Sequence, residues 1–209
     1  MTLSFLDRFR PRRTEAPAPV FDGLAQLRAY WEGLRPAGGL PARADLDPRG
    51  LTGVLDRVFL AERIGRGLAQ VRIAGSGLAD FAGMDLRGLP LSCIFAPESR
   101  PLLAQALENV FSGSTLVEAD LGSDRGTIGG IVARLVLLPL ADEAGGKLSL
   151  GALSFADGKA TRCKFQVLAR RETALEMVPA PAAGAPMQDA RPVQPIRRFG
   201  HLSLVHTSD

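Results

Sequence analysis

The chain has 209 residues, 46% of them hydrophobic and 6% aromatic, which fits one globular domain with appended segments and excludes a wholly disordered chain. Its net charge is +3. Residues 1–19 and 179–209 together hold seven of the 25 basic and four of the 22 acidic residues, so residues 20–178 carry 18 of each. A neutral central segment disfavours a nucleic-acid-binding face.

The cysteines and histidines limit the chemistry that the chain can carry. Cys93 and Cys163 are 70 positions apart, and both histidines, His201 and His206, lie near the C-terminal end. This spacing disfavours a disulfide scaffold, a zinc site and a haem with a histidine ligand, and it suits a reducing compartment. No window reaches the roughly 18–20 apolar residues of a membrane span. We therefore expect a cytoplasmic protein with no membrane span, no metal and no cofactor.

The N-terminal part predicts a flexible basic segment, residues 1–19, followed by a first leading helix, residues 21–35. One face of that helix is apolar and consists of Leu24, Leu27, Trp31 and Leu34. An apolar stripe on a leading helix has to be buried somewhere. Two interpretations remain open: the face packs on the sheet as ordinary core, or it forms a homodimer surface.

In the next segments the spacing of the apolar residues changes from that of a helix to that of a strand. Residues 47–57 predict a second leading helix, because Asp47 suits the N-cap and Pro48 the first position. An apolar run at residues 58–61 then leads into a Gly-containing turn, and apolar and polar residues alternate over residues 69–73. Together they predict a hairpin of two strands ending near residue 74. A short helix and a long helix that begins near Pro97 follow.

The C-terminal half predicts three more strands, residues 115–121, 128–140 and 148–155. Residues 161–177 are mixed in pattern and fit an exit segment, with a helix as one interpretation. Residues 178–209 are rich in Pro and Ala and predict a disordered tail. The order of elements predicts an α+β domain over residues 20–160, with a five-stranded antiparallel sheet, helices packed on one face, and the leading helices in addition.

Three short stretches carry a family resemblance: VRIAGS at residues 71–76, GMDLRG at 83–88 and FAPESR at 95–100. Together with the element order they resemble PAS domains, in particular a branch of short stand-alone bacterial PAS proteins. The resemblance covers roughly residues 20–160 and implies a sensory or protein-interaction module. The residues at the positions of the family motif are Arg72, Gly75, Ser76 and Gly88.

Each motif position also has a purely structural interpretation. In the functional interpretation Arg72 contacts a bound anion or a partner's carboxylate. In the structural one it pairs with a nearby acid or packs its stem over the sheet. The Gly75-Ser76-Gly77 stretch is followed by Asp80, where a phosphate-binding loop would need glycine, so turn geometry explains these glycines better. Cys93 lies where flavin-binding PAS domains carry a reactive cysteine, but its neighbours differ, which favours a buried structural thiol.

The absence of histidine from the predicted domain excludes a Ser-His or Cys-His nucleophile pair, and we expect no enzyme activity. Two functions follow as hypotheses. The first is a regulator that senses a small apolar ligand between sheet and helices, or docks a signalling protein, and acts through that partner. The second is a structural adaptor with a filled interior, which works through its first helix and its C-terminal tail. Residues 201–206 of that tail are either a docking peptide that adds a strand to a partner or a disordered end with a few apolar residues.

Overall fold

The computed structural model describes residues 20–125, 130–141, 147–156 and 162–176. The basic N-terminal segment, residues 1–19, and the Pro/Ala-rich tail, residues 178–209, lie outside the described residues.

The described chain contains three α-helices and six strands. The helices are α1 (Leu24–Leu34), α2 (Ser76–Ala82) and α3 (Arg100–Phe111). The strands are β1 (Val58–Gly65), β2 (Leu68–Ala74), β3 (Thr115–Ser123), β4 (Ala133–Leu140), β5 (Leu148–Phe155) and β6 (Phe165–Ala174). Short 3₁₀ turns lie at Arg43–Asp45, Pro48–Leu51, Leu55–Arg57, Leu91–Ile94 and Pro97–Ser99.

The strands form one sheet in the order β2-β1-β5-β4-β3-β6, and every neighbouring pair is antiparallel. The predicted α+β class with an antiparallel sheet is therefore confirmed. The strand count is six where five were predicted. The additional strand, β6, lies in the segment for which a helix was one interpretation, and it is a strand because it pairs with β3 along its whole length.

The second leading helix, predicted over residues 47–57, is instead two 3₁₀ turns, Pro48–Leu51 and Leu55–Arg57. The predicted cap is present, since the Asp47 carboxylate accepts a hydrogen bond from the Arg49 amide at 2.9 Å. Gly53 lies between the turns with φ +93°, a left-handed conformation that ends the helical path. A segment with two glycines in its middle thus turns twice instead of forming one helix.

The sheet is covered on both faces, so the expectation of helices on one face holds only in part. Along β4, Leu135 and Leu137 point to the face covered by α2 and α3, whereas Val136 and Leu138 point to the face covered by α1. We call these the first and the second face. Burial on both sides explains why β4 is a nearly continuous run of apolar residues.

Four phenylalanines fill part of the space between the first face and its helices. The ring of Phe81 from α2 lies 4.8 Å from that of Phe165 and 5.0 Å from that of Phe155. Phe95 lies 5.9 Å from Phe165. We call Phe81, Phe95, Phe155 and Phe165 the aromatic cluster. Its members come from four separate segments, so β6 is tied to the interior of the domain and not merely to the edge of the sheet.

Candidate functional site

A row of apolar side chains crosses the second face and becomes exposed at one end. Ile73 on β2 pairs with Leu60 on β1, Leu60 pairs with Leu150 on β5, and Leu150 pairs with Leu138 on β4. Their exposed fractions are 48%, 7%, 1% and 0% in that order. The second-face core is therefore closed under α1 and open at the β2 edge.

A groove of about 530 Å³ lies at this open end. The sheet supplies Leu60 and Ile73, and the 3₁₀ turns of residues 43–57 supply the opposite wall, including Leu46, Leu51 and Leu55. Leu55 is 47% exposed. This size is within the range of small-molecule sites, and the lining is mainly aliphatic, as such sites require. We call it the edge groove.

Two of the four motif residues, Gly75 and Ser76, line the edge groove at the start of α2. Gly75 is required there for space. A Cβ atom on Gly75 would lie 2.3 Å from the Leu55 carbonyl oxygen and 2.4 Å from the Asp56 carbonyl oxygen. Without a side chain, β2 and the Leu55–Arg57 turn approach each other closely and form one end of the groove.

Replacing Gly75 by alanine is expected to lower the free energy of unfolding by about 1–3 kcal/mol, because the backbone at residues 55–56 has to move. Urea unfolding followed by circular dichroism measures the change. The matched control is Gly33→Ala in α1, where nothing beyond the adjacent residues and the helix's own backbone lies within 4 Å of the added Cβ. That substitution is expected to raise the stability by up to about 1 kcal/mol. Equal effects of the two substitutions would contradict the steric role of Gly75.

The other two motif residues have structural contacts outside the groove lining. Arg72 pairs with Glu62 on β1, which matches the structural interpretation of this residue. Gly88 has φ +80°, and its amide donates to the Val71 carbonyl at 2.7 Å. The turn that precedes Gly88 thereby packs against the edge of β2.

The proposed dimer face of α1 is part of the core. Leu24, Leu27 and Trp31 are buried against the second face of the sheet, and Leu34 is half-buried. The Trp31 indole also donates a hydrogen bond to the Pro139 carbonyl at 2.9 Å. Of the two interpretations, packing on the sheet is the one that the structure shows, and this face is not available as an exposed dimer surface.

The thiols do not have the character of nucleophiles. Cys93 and Cys163 are both half-buried and pack against the first-face core. Burial raises the pKa of each thiol, which keeps it protonated near neutral pH. Within the described residues, no group of three or more His, Cys, Asp and Glu side chains is placed to hold a metal ion.

Two carboxylates with lowered pKa values have structural roles. A hydrogen bond from Arg87 lowers the pKa of Asp85 within the turn before Gly88. Hydrogen bonds from Arg63 and from the Gly67 amide lower the pKa of Glu108, which joins α3 to the β1–β2 hairpin. Neither carboxylate lines the edge groove.

Asp120 on β3 is a further carboxylate, and it is buried although its sequence position suits a solvated acid near a strand end. It accepts a hydrogen bond from Arg134 at 2.6 Å and lies 3.3 Å from Arg171 of β6. The two guanidinium groups compensate its charge, as a buried carboxylate requires. This arrangement strengthens the contact between β6 and β3 and leaves no acid free for catalysis at that position.

The sequence did not indicate the edge groove itself. Leu55 belongs to an apolar stripe that predicts burial, and Ile73 alternates with polar residues as a half-buried strand residue does. The one available signal was the proximity of Ile73 to the motif residues Gly75 and Ser76.

No helix of the described chain combines the length and the apolar character needed to cross a membrane. Comparisons with curated proteins and with solved structures gave no significant match. A family model described as "PAS domain" matches residues 22–154, which is more than half of the chain and ends just before the end of β5. The chain therefore belongs to the PAS domain family.

Proposed function

We propose that this protein is a non-catalytic PAS-type regulator that binds a small apolar ligand in the edge groove and acts through a partner protein. The family supports a sensory or interaction module. The observation that supports ligand binding is the row of apolar side chains that ends at the half-exposed Ile73, opposite the half-exposed Leu55. Covering such surface removes apolar area from water, at about 25 cal/mol for each Å².

The location of this site differs from the one expected from the sequence, which was between the sheet and its helices. The aromatic cluster occupies part of that space, and Phe95 and Phe165 are fully buried there. The edge groove lies on the opposite face of the sheet and opens to solvent. A ligand can therefore enter it without displacing core side chains.

The structural adaptor remains the second candidate, and the aromatic cluster favours it, since a filled interior needs no ligand. The surface through which such an adaptor would act differs from the one expected from the sequence. The apolar face of α1 is buried, so an adaptor would have to use other surfaces of the described chain, and the edge groove is an exposed apolar site of that kind. The C-terminal tail of that hypothesis lies outside the described residues.

Replacing Ile73 by aspartate is expected to weaken the binding of a neutral apolar molecule at least tenfold, because the substitution places a carboxylate in the apolar lining. The measurement is fluorescence titration of the full chain with N-phenyl-1-naphthylamine, an uncharged dye that brightens in apolar surroundings. Ile73 is half-exposed, so the variant should stay folded.

The matched control is Leu168→Asp on β6, because Leu168 is 42% exposed and does not line the groove. The proposal predicts that this variant binds the dye like the unmodified protein. Absence of dye binding by the unmodified protein would favour the adaptor, and equal binding by the Ile73 and Leu168 variants would remove the groove as the site.

A further inference from the structure

We infer that the edge groove takes a linear aliphatic carboxylate, with its carboxylate at Arg43 and its chain along the row formed by Ile73, Leu60 and Leu150. The inference rests on the proposed function and names the class of ligand. It follows from the course of the groove across the strands, from the charges at its two ends, and from the covering of the neighbouring sheet edge.

The floor of the groove crosses the strands, because Ile73, Leu60 and Leu150 are neighbours on β2, β1 and β5 and all three line it. At one end, Asp56 and Gly75 lie beside the start of β1, whose Val58 pairs with Ala152. At the other end, Arg43 follows Ala42, which bridges to Ala141 just beyond the Leu140–Leu148 pair. The three floor residues span two strand spacings, or about 10 Å. The two charged ends are thus separated by an elongated apolar floor, which suits a linear chain better than a compact ring system.

The two ends carry opposite charges, and this sets the orientation of an anionic ligand. Arg43 is exposed at the rim and forms no ion pair with another described residue. The nearby carboxylates have other contacts: Asp45 accepts from the Ala42 amide at 2.9 Å and Asp47 from the Arg49 amide at 2.9 Å. A guanidinium group binds a carboxylate through two parallel hydrogen bonds. Asp56, the acid of the lining, is paired with Arg57 at 3.5 Å and offers an anion no partner, so the head group belongs at Arg43.

A peptide strand is disfavoured as the occupant, because the adjacent edge of β2 is already covered. The Val71 amide donates to the Leu89 carbonyl at 2.9 Å, and the Gly88 amide donates to the Val71 carbonyl at 2.7 Å. Gln70 also bridges to Pro90. A partner that adds a strand needs these backbone groups. A ligand that uses side-chain contacts alone does not.

The test compares decanoate with 1-decanol, which have the same chain length, by displacement of the bound naphthylamine dye from the full chain at neutral pH. We expect the unmodified protein to prefer the carboxylate at least tenfold. Arg43→Gln should abolish that preference and leave the affinity for the alcohol unchanged. The matched control is Arg49→Gln, since Arg49 is exposed in the neighbouring turn and does not line the groove. This control should keep the preference.

A second series with octanoate, nonanoate and decanoate tests the apolar floor. Each added methylene is expected to lower the Kd by roughly fourfold as long as the chain stays inside the groove. Equal affinities for acid and alcohol, with dye binding still sensitive to Ile73→Asp, would overturn the carboxylate assignment and leave the proposed function standing. Decanoate binding that is insensitive to Ile73→Asp would overturn the groove as its site.

Discussion

Replacing Trp31 by alanine is expected to lower the free energy of unfolding by about 3–5 kcal/mol. Trp31 is fully buried between α1 and the second face of the sheet, and the Arg35 guanidinium lies 5.4 Å from the centre of its ring. The substitution leaves a cavity the size of an indole ring. It also removes the donor to the Pro139 carbonyl, which is then left without that hydrogen bond. Such a loss is a large share of the stability of a domain of this size.

The comparison with Trp31→Phe separates the two contributions. Phenylalanine keeps most of the apolar bulk and lacks the N–H donor, so its cost is expected to be about 1–3 kcal/mol. Urea unfolding gives both values, and size-exclusion chromatography gives the oligomeric state. If Trp31→Ala kept the stability of the unmodified protein and changed its elution volume instead, the residue would belong to a dimer surface after all.

Replacing Phe165 by alanine is expected to cost about 3–5 kcal/mol as well. Its ring stacks on Phe81 at 4.8 Å with an angle of 14° between the planes, and it is fully buried. The Phe165 carbonyl also accepts a hydrogen bond from the Ala96 amide at 2.9 Å, so its backbone is held in place when the side chain is removed. The cavity can therefore collapse only in part, which places the cost in the upper part of this range.

Leu168→Ala on the same strand is the control for this prediction. Leu168 is largely outside the core, and its replacement is expected to cost about 1 kcal/mol or less. Thermal unfolding and the near-ultraviolet circular dichroism of the aromatic cluster report the two effects. Equal stability of both variants would show that β6 contributes little to the folded domain.

The sequence predicts an element correctly where one spacing of apolar residues runs through the whole element. The 3–4 residue spacing of Leu24, Leu27 and Trp31 predicted a helix with one buried face, and the structure has it. The alternation at Ala69 and Val71 predicted a strand of a hairpin, which is also present. These patterns are local, so they can be read without knowing what packs on them.

The features that were missed depend on contacts between distant segments. In β6, Arg170, Arg171 and Glu172 follow one another, so the alternation of apolar and polar residues that predicts a strand is missing there. The segment is a strand because it pairs with β3 and because Phe165 is inserted into the core. The partner of α1 was likewise undetermined, because its apolar stripe fits a sheet or a second copy equally well. The edge groove arises because the elements that cover the second face do not extend over β2. No local sequence pattern indicates where that cover ends.

The position of β6 has a consequence for where this domain can be cut. A chain ended at residue 154, the last residue of the family match, lacks β6 and leaves the N–H and C=O groups of β3 without partners along one side. An uncovered strand of this kind is a template for aggregation. Among the described residues β6 is the outermost strand at this edge of the sheet, and its charged run of Arg170, Arg171 and Glu172 discourages such pairing. The unit suited to expression or fusion is therefore longer than the family boundary by at least this strand.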